Sequence, residues 1–474
     1  MGGDGGGVPA AIENGGVPRA VKIDRSKLPE PGASRPFRFP SIDKSALSSG
    51  LRVWTVGHPA IPVVTFILLL RRGSADDPPD QDGLAAMTLD MLDEGSGGRS
   101  AIEMHEALGR LGARLDSDIG SDAMLLGITA LSRFTDPALA ILADITARPS
   151  LAQDDFERVR QLRLHRLKQL RDVPGAVADR AFVRLLYGDH PYGHTSLGNE
   201  HTLGQMTLDH VRAFHRAAIC PPQATLVAVG DCDHDAIVRL AAAAFEGWEG
   251  GVGGEGAAGG TFPRPARLNV VPRAGAPQSE LRIGHVAAPR DTPDYHALVA
   301  ANAVLGGQFV SRINQNLRED KGFTYGAYTA FEFRRLPGPF ALHCSVQTAA
   351  TGRAIQESLS EIAAIRGPRP ATHEELALGV AGLTRGYARN FETAEQVARA
   401  VAQLALYDLP DDYFAEFVPR VERVTVDEVT AVASRHLDPD RLTTLVVGDL
   451  EQIAGDLADL GLGEPVILST EMFC

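Results

Sequence analysis

The sequence predicts an α+β fold made of two homologous α/β sandwich repeats, each a mostly antiparallel sheet layered with helices. Three observations predict it. A helix–strand segment occurs twice. A glycine-rich seam separates the two copies. Short apolar runs alternate with blocks of helical periodicity in each half, as layered α+β domains require.

The repeat is explicit. TLDHVRAFHRAAICPPQATLVAVGD from Thr207 aligns without a gap on TVDEVTAVASRHLDPDRLTTLVVGD from Thr425. Thr207, Asp209, Val211, Ala213, Pro221, Thr225, Val229, Gly230 and Asp231 fall on Thr425, Asp427, Val429, Ala431, Pro439, Thr443, Val447, Gly448 and Asp449. Each copy reads as a capped helix, a proline turn and a buried strand ending in Gly-Asp. Upstream, Leu186-Tyr187 matches Leu406-Tyr407 once a short indel is allowed.

The seam is GWEGGVGGEGAAGG, from Gly247 to Gly260, which has flexible-linker composition. The expected organisation is a flexible Gly/Pro-rich leader over 1–39, an N-terminal repeat over 40–247, a linker over 248–261 and a C-terminal repeat over 262–474. In the first repeat, LRVWTV and IPVVTFILLL read as paired strands. Gly83–Leu92 reads as a helix with Leu84, Met87 and Met91 on one stripe, and Ile102–Leu111 as another. ARLDSDIG and DAMLLGITA read as a hairpin about Gly120-Ser121. Long helices follow from Pro137, Gln153 and Gly175, and the second repeat follows the same order.

Composition narrows the function. The chain has 474 residues, 44% hydrophobic and 22% charged, an ordinary globular balance. A net charge of −14 argues against a general nucleic-acid binder, which needs a basic surface. The longest apolar run, Ile61 to Leu70, is too short to span a bilayer, so no membrane partner is expected. Cys220, Cys232, Cys344 and Cys474 are dispersed and form no CxxC pair, which points to reduced thiols. The opening MGGDGGGVPAAIENGGVPRA has no apolar core after a basic start and does not read as a signal peptide.

Two polar clusters read as structural. HPYGH places His190 close to His194 with no third ligand implied. Asp231-Cys232-Asp233-His234-Asp235 falls between a strand and a helix over Ala236–Phe245, where carboxylates cap the helix and meet its dipole.

RRGSADDPPDQDGLAAMTLDMLDEGS resembles the N-terminal signature of the pitrilysin/insulinase family of zinc metallopeptidases, the inverted H-x-x-E-H type. In catalytic members of that family, two His at i and i+4 bind zinc from one helix face and the Glu activates water. Carried over by this resemblance, Ala86 and Asp90 occupy the His positions and Leu89 the Glu position. Asp90 alone reads as a solvated helix carboxylate. The third ligand, a Glu, belongs on the helix DDFERVRQLRLHRLKQLRDVPGAVADRAF near Leu164 to Arg166. No Glu occurs between Glu157 and Glu200; Arg158, Arg160, Arg163, Arg166, Lys168 and Arg171 stand there instead.

GGQFVSRINQNLREDKGFTYGAYTAFEF resembles the family's C-terminal-half signature, whose Arg and Tyr lie across the chamber from zinc. Here they are Arg318 and Tyr325. The local pattern is a helix over Phe309–Asp320, stopped by Gly322, and a strand on which Phe323, Tyr325, Ala327, Thr329 and Phe331 alternate. A phenol can donate to a developing oxyanion, and a guanidinium can hold carbonyls or a carboxylate.

The resemblance covers about residues 40–450 and implies a half-chamber. It is similar to the non-catalytic subunit of two-chain, mitochondrial-processing-peptidase-like bacterial enzymes. It implies no cofactor in this chain and zinc in the partner. It also implies an H-x-x-E-H catalytic homologue as heterodimer partner, a homodimer in its absence, and a peptide as substrate. The expected compartment is the bacterial cytoplasm, or the periplasm if a signal has been removed. A scaffold relative, a peptide-binding module without an enzymatic partner, and a stand-alone peptidase with a relocated metal site remain alternatives.

Overall fold

A computed structural model describes Ser26, residues 37–251 and residues 260–470. Most of the expected leader and the middle of the expected linker lie outside the described residues. Phe37 and Phe39, at the end of that leader, are packed. Phe37 stacks on Phe391 with ring centroids 4.8 Å apart, and Phe39 meets Phe414 at 5.1 Å. At the start of the linker, Trp248 is buried and donates its indole N–H to the Ile219 carbonyl at 3.3 Å.

Two six-stranded sheets carry the fold. The first contains β1 (Asp43–Ala46), β2 (Arg52–Gly57), β3 (Val63–Leu70), β4 (Arg114–Ile119), β5 (Met124–Leu131) and β6 (Ala224–Gly230), in the order β1-β2-β6-β3-β5-β4. The second contains β7 (Leu268–Pro272), β8 (Gln278–Val286), β9 (Ala327–Phe331), β10 (Pro339–Gln347), β11 (Thr443–Gly448) and β12 (Val466–Ile467), in the order β9-β10-β8-β11-β7-β12. Without the outer β1 and β12, the two orders are the same: β2-β6-β3-β5-β4 and β7-β11-β8-β10-β9. Orientation repeats as well. β6 is parallel to β2 and antiparallel to β3, as β11 is parallel to β7 and antiparallel to β8.

LRVWTV and IPVVTFILLL were expected to pair; they do not. β6 lies between them, with Thr225 opposite both Arg52 and Leu69. Every residue of β6 is buried, so both of its edges need ladder partners. The β4–β5 hairpin forms as read, closed by Gly120 N–H on the Ala123 carbonyl at 2.9 Å.

The duplicated segment folds the same way twice. Thr207 caps the Leu208–Ala218 helix and Thr425 caps Val426–His436, each accepting the N–H three residues on. Each following strand ends in a glycine that admits no side chain. At Gly230, φ is +134° and a Cβ would stand 2.1 Å from the Val63 carbonyl oxygen. At Gly448 it would stand 2.5 Å from Ser279 Oγ.

Each half contributes one helix to the other's sheet. Pro174–Tyr187 places Val177, Ala181 and Phe182 at helical spacing against Val271, Val286, Leu445 and Val447 of the second sheet. Ala394–Leu406 places Val397, Val401 and Ala405 against Val56, Ile67, Leu69 and Val229 of the first. These helices end at the Leu186-Tyr187 and Leu406-Tyr407 pairs matched in the sequence. The outer faces of the sheets are covered by each half's own helices, in two separate cores. Among the described residues no helix is long and apolar enough to cross a membrane.

Candidate functional site

The Leu84–Met91 helix forms where the sequence placed it and is buried almost all round, because it is wedged between the first sheet and its neighbouring helices. Its N-terminus is held by Asp77, which accepts N–H from Gly83 at 2.7 Å and from Ala85 at 2.6 Å. Burial pushes the Asp77 carboxyl up to about 7 in spite of those two bonds, while Arg163 pulls it down. His194 Nδ1 lies 3.8 Å away.

Ala86 and Leu89 are buried and bring no donor atom. Asp90 is not simply solvated. It accepts from Arg163 Nη1 at 2.5 Å, and Arg163, 8% exposed, also donates Nη2 to the Ser196 carbonyl at 2.8 Å. Arg163 belongs to the Gln153–Arg171 helix, where Leu164 packs on the first core and His165 and Arg166 are exposed. One carboxylate already bound to a guanidinium is not a donor set that fits zinc, which takes three protein ligands at a catalytic site. Among the described residues, no three His, Cys, Asp or Glu side chains are grouped to hold a metal.

His190 and His194 line a cleft of 550 Å³ together with Asp77, Asp82, Arg180 and Asn199. His190 is buried against Tyr187, Tyr192 and Phe262, and its Nδ1 accepts the Tyr192 N–H at 3.0 Å. Burial lowers its basicity. In the Asp231–Asp235 cluster, Asp233 caps the His234–Ala244 helix by accepting from Ala236 N, and His234 bridges the Ser45 and Thr55 hydroxyls at 2.8 Å each. Asp231 accepts from Ser132. These residues do structural work.

In the second half, the helix expected from Phe309 begins only at Arg312, behind Ser311. Phe309 and Val310 are left exposed on a loop tied down by Gln308 Nε2 on the Gly379 carbonyl and Asn314 Nδ2 on the Phe309 carbonyl. Over Gln315–Asp320 the helix widens, and the Lys321 N–H bonds the Asn316 carbonyl at 3.2 Å, five residues back. Such widened turns recur at functional sites. Gly322 then ends the helix with φ +63°, its N–H on the Arg318 carbonyl at 3.1 Å, as the sequence indicated.

Arg318 sits in this wide turn. Its guanidinium lies 4.1 Å from the centroid of the Phe309 ring, and its ionic contact is a loose one, 3.5 Å to adjacent Glu319. Tyr325 is not on the strand. β9 starts at Ala327, and the Thr324 hydroxyl accepts the Gly326 N–H while donating to the Ser345 carbonyl, a turn that throws Tyr325 out. Phe323, Ala327 and Thr329 face inward, but Tyr325 is 94% exposed and has no hydrogen-bond partner among the described residues. Tyr328, also exposed, stacks on His343 at 4.8 Å. The structure therefore places Arg318 and Tyr325 at one helix-to-strand turn of the second half, and Ala86, Leu89 and Asp90 on a helix of the first.

Sequence reasoning missed Arg163 as the partner of Asp90, Asp77 as the helix cap and Phe309 as the shelf for Arg318. Only Asp77 had a signal: an acidic residue ahead of a helix start, displaced by an intervening loop.

Comparison with known proteins gives consistent matches. Residues 52–199 match the family model described as insulinase (peptidase family M16), and residues 205–383 match the peptidase M16 inactive domain. An uncharacterized zinc protease of Streptomyces coelicolor is 24% identical over 427 residues, covering 87% of this chain and 90% of its own. One of Mycobacterium tuberculosis is 26% identical over 412 residues, covering 85% and 92%. The crystal structure of a peptidase M16 inactive domain from Pseudomonas fluorescens superimposes with a TM-score of 0.80 at 24% identity, over 86% of this chain and 98% of that one. A Helicobacter pylori protease gives 0.79 at 19%, over 86% and 99%. With the duplicated sheet order, both signature segments and both family models in agreement, the chain belongs to peptidase family M16, the insulinase family.

Proposed function

We propose that this chain is the non-catalytic, substrate-binding subunit of a heterodimeric zinc metallopeptidase that cleaves peptides or unfolded segments. Its zinc belongs to a homologous H-x-x-E-H chain, and this chain supplies Arg318 and Tyr325. The observation that carries the reading is the surface around Arg318. Phe309, whose ring carries the Arg318 guanidinium, is exposed, and Tyr325, seven residues on from Arg318 at the same helix-to-strand turn, is exposed with a phenol unpaired among the described residues. An exposed aromatic ring under a guanidinium, beside an exposed phenol on the same turn, supports reading this turn as an interaction surface. The absence of donor atoms at Ala86 and Leu89 supports assigning the metal to a partner, and the naming of relatives as zinc proteases supports the peptidase context.

In this reading Arg318 binds substrate carbonyls or a carboxylate through its fork, and Tyr325 donates to the carbonyl oxygen that gains charge during cleavage. The test is peptide hydrolysis by the chain reconstituted with an H-x-x-E-H homologue. Arg318→Ala should raise KM at least as much as it lowers kcat, and Tyr325→Phe should lower kcat. Wild-type kinetics from both variants would favour the scaffold alternative.

A further inference from the structure

The family's metal would be held between two helices, and in this chain those two helices are joined by a cation of its own. Arg163 rises from Gln153–Arg171, takes Asp90 of Leu84–Met91 on one arm, and takes the Ser196 carbonyl on the other. Three separate segments thus converge on one guanidinium that is more than nine-tenths buried. Its positive charge reaches Asp77, the cap of the same helix.

We propose that Arg163 is a built-in substitute for the family's metal. Its guanidinium performs the cross-linking that zinc performs between the two helices and closes the site to divalent cations, so the site is occupied as well as short of ligands. A buried guanidinium is costly unless its partners are well placed, and here a carboxylate and a carbonyl engage the two terminal nitrogens, while Nε has no partner among the described residues. The fork geometry suits a cross-link because two arms leave one rigid plane toward two segments. The inference rests on the family resemblance and not on the partner-subunit reading, and it is tested on the chain alone.

The first measurement is amide hydrogen exchange in the full chain. Arg163→Met keeps length and removes charge. Exchange over Leu84–Met91 should accelerate at least about tenfold, equivalent to about 1.4 kcal/mol of lost local stability, with Ala394–Leu406 unchanged. Equal exchange over Leu84–Met91 in wild type and variant would overturn the cross-link. The second measurement is zinc binding to A86H/D90H, with Arg163 retained and with Arg163→Met added. Because D90H deletes the carboxylate of the pair, this readout reports exclusion of the cation by the Arg163 charge, while the exchange measurement reports the cross-link. Zinc should bind at least tenfold more tightly once Arg163 is gone, and equal affinity in both backgrounds would overturn the substitution. If the methionine variants fail to fold, Arg163→Lys serves: faster exchange is expected because the fork is lost, while zinc stays excluded because the charge remains. A lysine variant with wild-type exchange, or one that admits zinc as a neutral residue would, would count against the proposal.

Discussion

The exchanged helices make a demanding prediction about cooperativity, and Phe182→Ala tests it. Phe182 belongs to the first half but is buried, 4% exposed, among side chains of the second sheet. Deleting a buried phenyl ring costs about 3–5 kcal/mol in transfer and cavity terms. If the halves were independent domains, that loss would fall on the second half alone. Because Ala394–Leu406 makes the reciprocal contact with the first sheet, the loss should instead reach the whole chain. Trp248, at the start of the linker, is buried in the first half's core and Trp54 of the first sheet meets second-half side chains, so fluorescence reads the first core and that contact while far-UV circular dichroism reads both halves. Urea melts of wild type should coincide by the two probes, and Phe182→Ala should shift both midpoints together. Val401→Ala should act in the same way from the other side. It removes two buried carbons at about 0.8 kcal/mol each, or about 2 kcal/mol with its cavity. Separate transitions, or a fluorescence midpoint untouched by Phe182→Ala, would refute the argument that the exchange couples the halves.

Other outcomes follow from single sites. Asp77 titrates near 7 when folded against 3.8 unfolded, so the folded chain binds the extra proton between those values, and this group's contribution to stability falls as pH rises from about 4 to 7. Asp77→Asn should flatten that part of the stability–pH curve in melts at fixed ionic strength; an unchanged slope would remove Asp77 from the account. Gly230→Ala should destabilise by about 3 kcal/mol or more, since the new Cβ meets the Val63 carbonyl at 2.1 Å in a left-handed backbone, and denaturant midpoints will show it. Tyr325→Phe should leave the melting temperature within error of wild type because the hydroxyl bonds no described residue, which separates any loss of activity from a folding defect.

Much of this architecture was legible because its signals are local or repeated. Thr207 and Thr425 cap the helices that their sequence context predicts, and Gly230 and Gly448 end the same strands. What was not legible depends on non-local contacts. Nothing near LRVWTV says that a strand from residue 224 onward will enter between it and its chain neighbour. Nothing in VADRAFVRLL says that its apolar face is meant for the other half's sheet, because an amphipathic stripe does not name its partner. Tyr325 broke the alternation around it because a single threonine hydroxyl found two backbone partners, an option that residue spacing does not reveal. Asp90 had an exposed-helix pattern and a buried arginine waiting in a segment more than seventy residues away, with no sequence signal linking the two.

Under the proposed function, the chain works only in company. The most direct measurement is hydrolysis of an unfolded peptide by this chain alone, by an H-x-x-E-H homologue alone, and by the two mixed, with Tyr325→Phe and Arg318→Ala in the mixture. Losing one donor aimed at an oxyanion typically costs about 10²–10³ in turnover, and a smaller loss is expected here if the partner's zinc carries most of that charge. This chain alone should show no activity and the pair should be active, with reduced turnover for Tyr325→Phe, a raised KM for Arg318→Ala and the zinc content of the pair unchanged throughout. Zinc-dependent, chelator-sensitive cleavage by this chain alone would contradict the proposed function, and so would a mixture no more active than the homologue by itself.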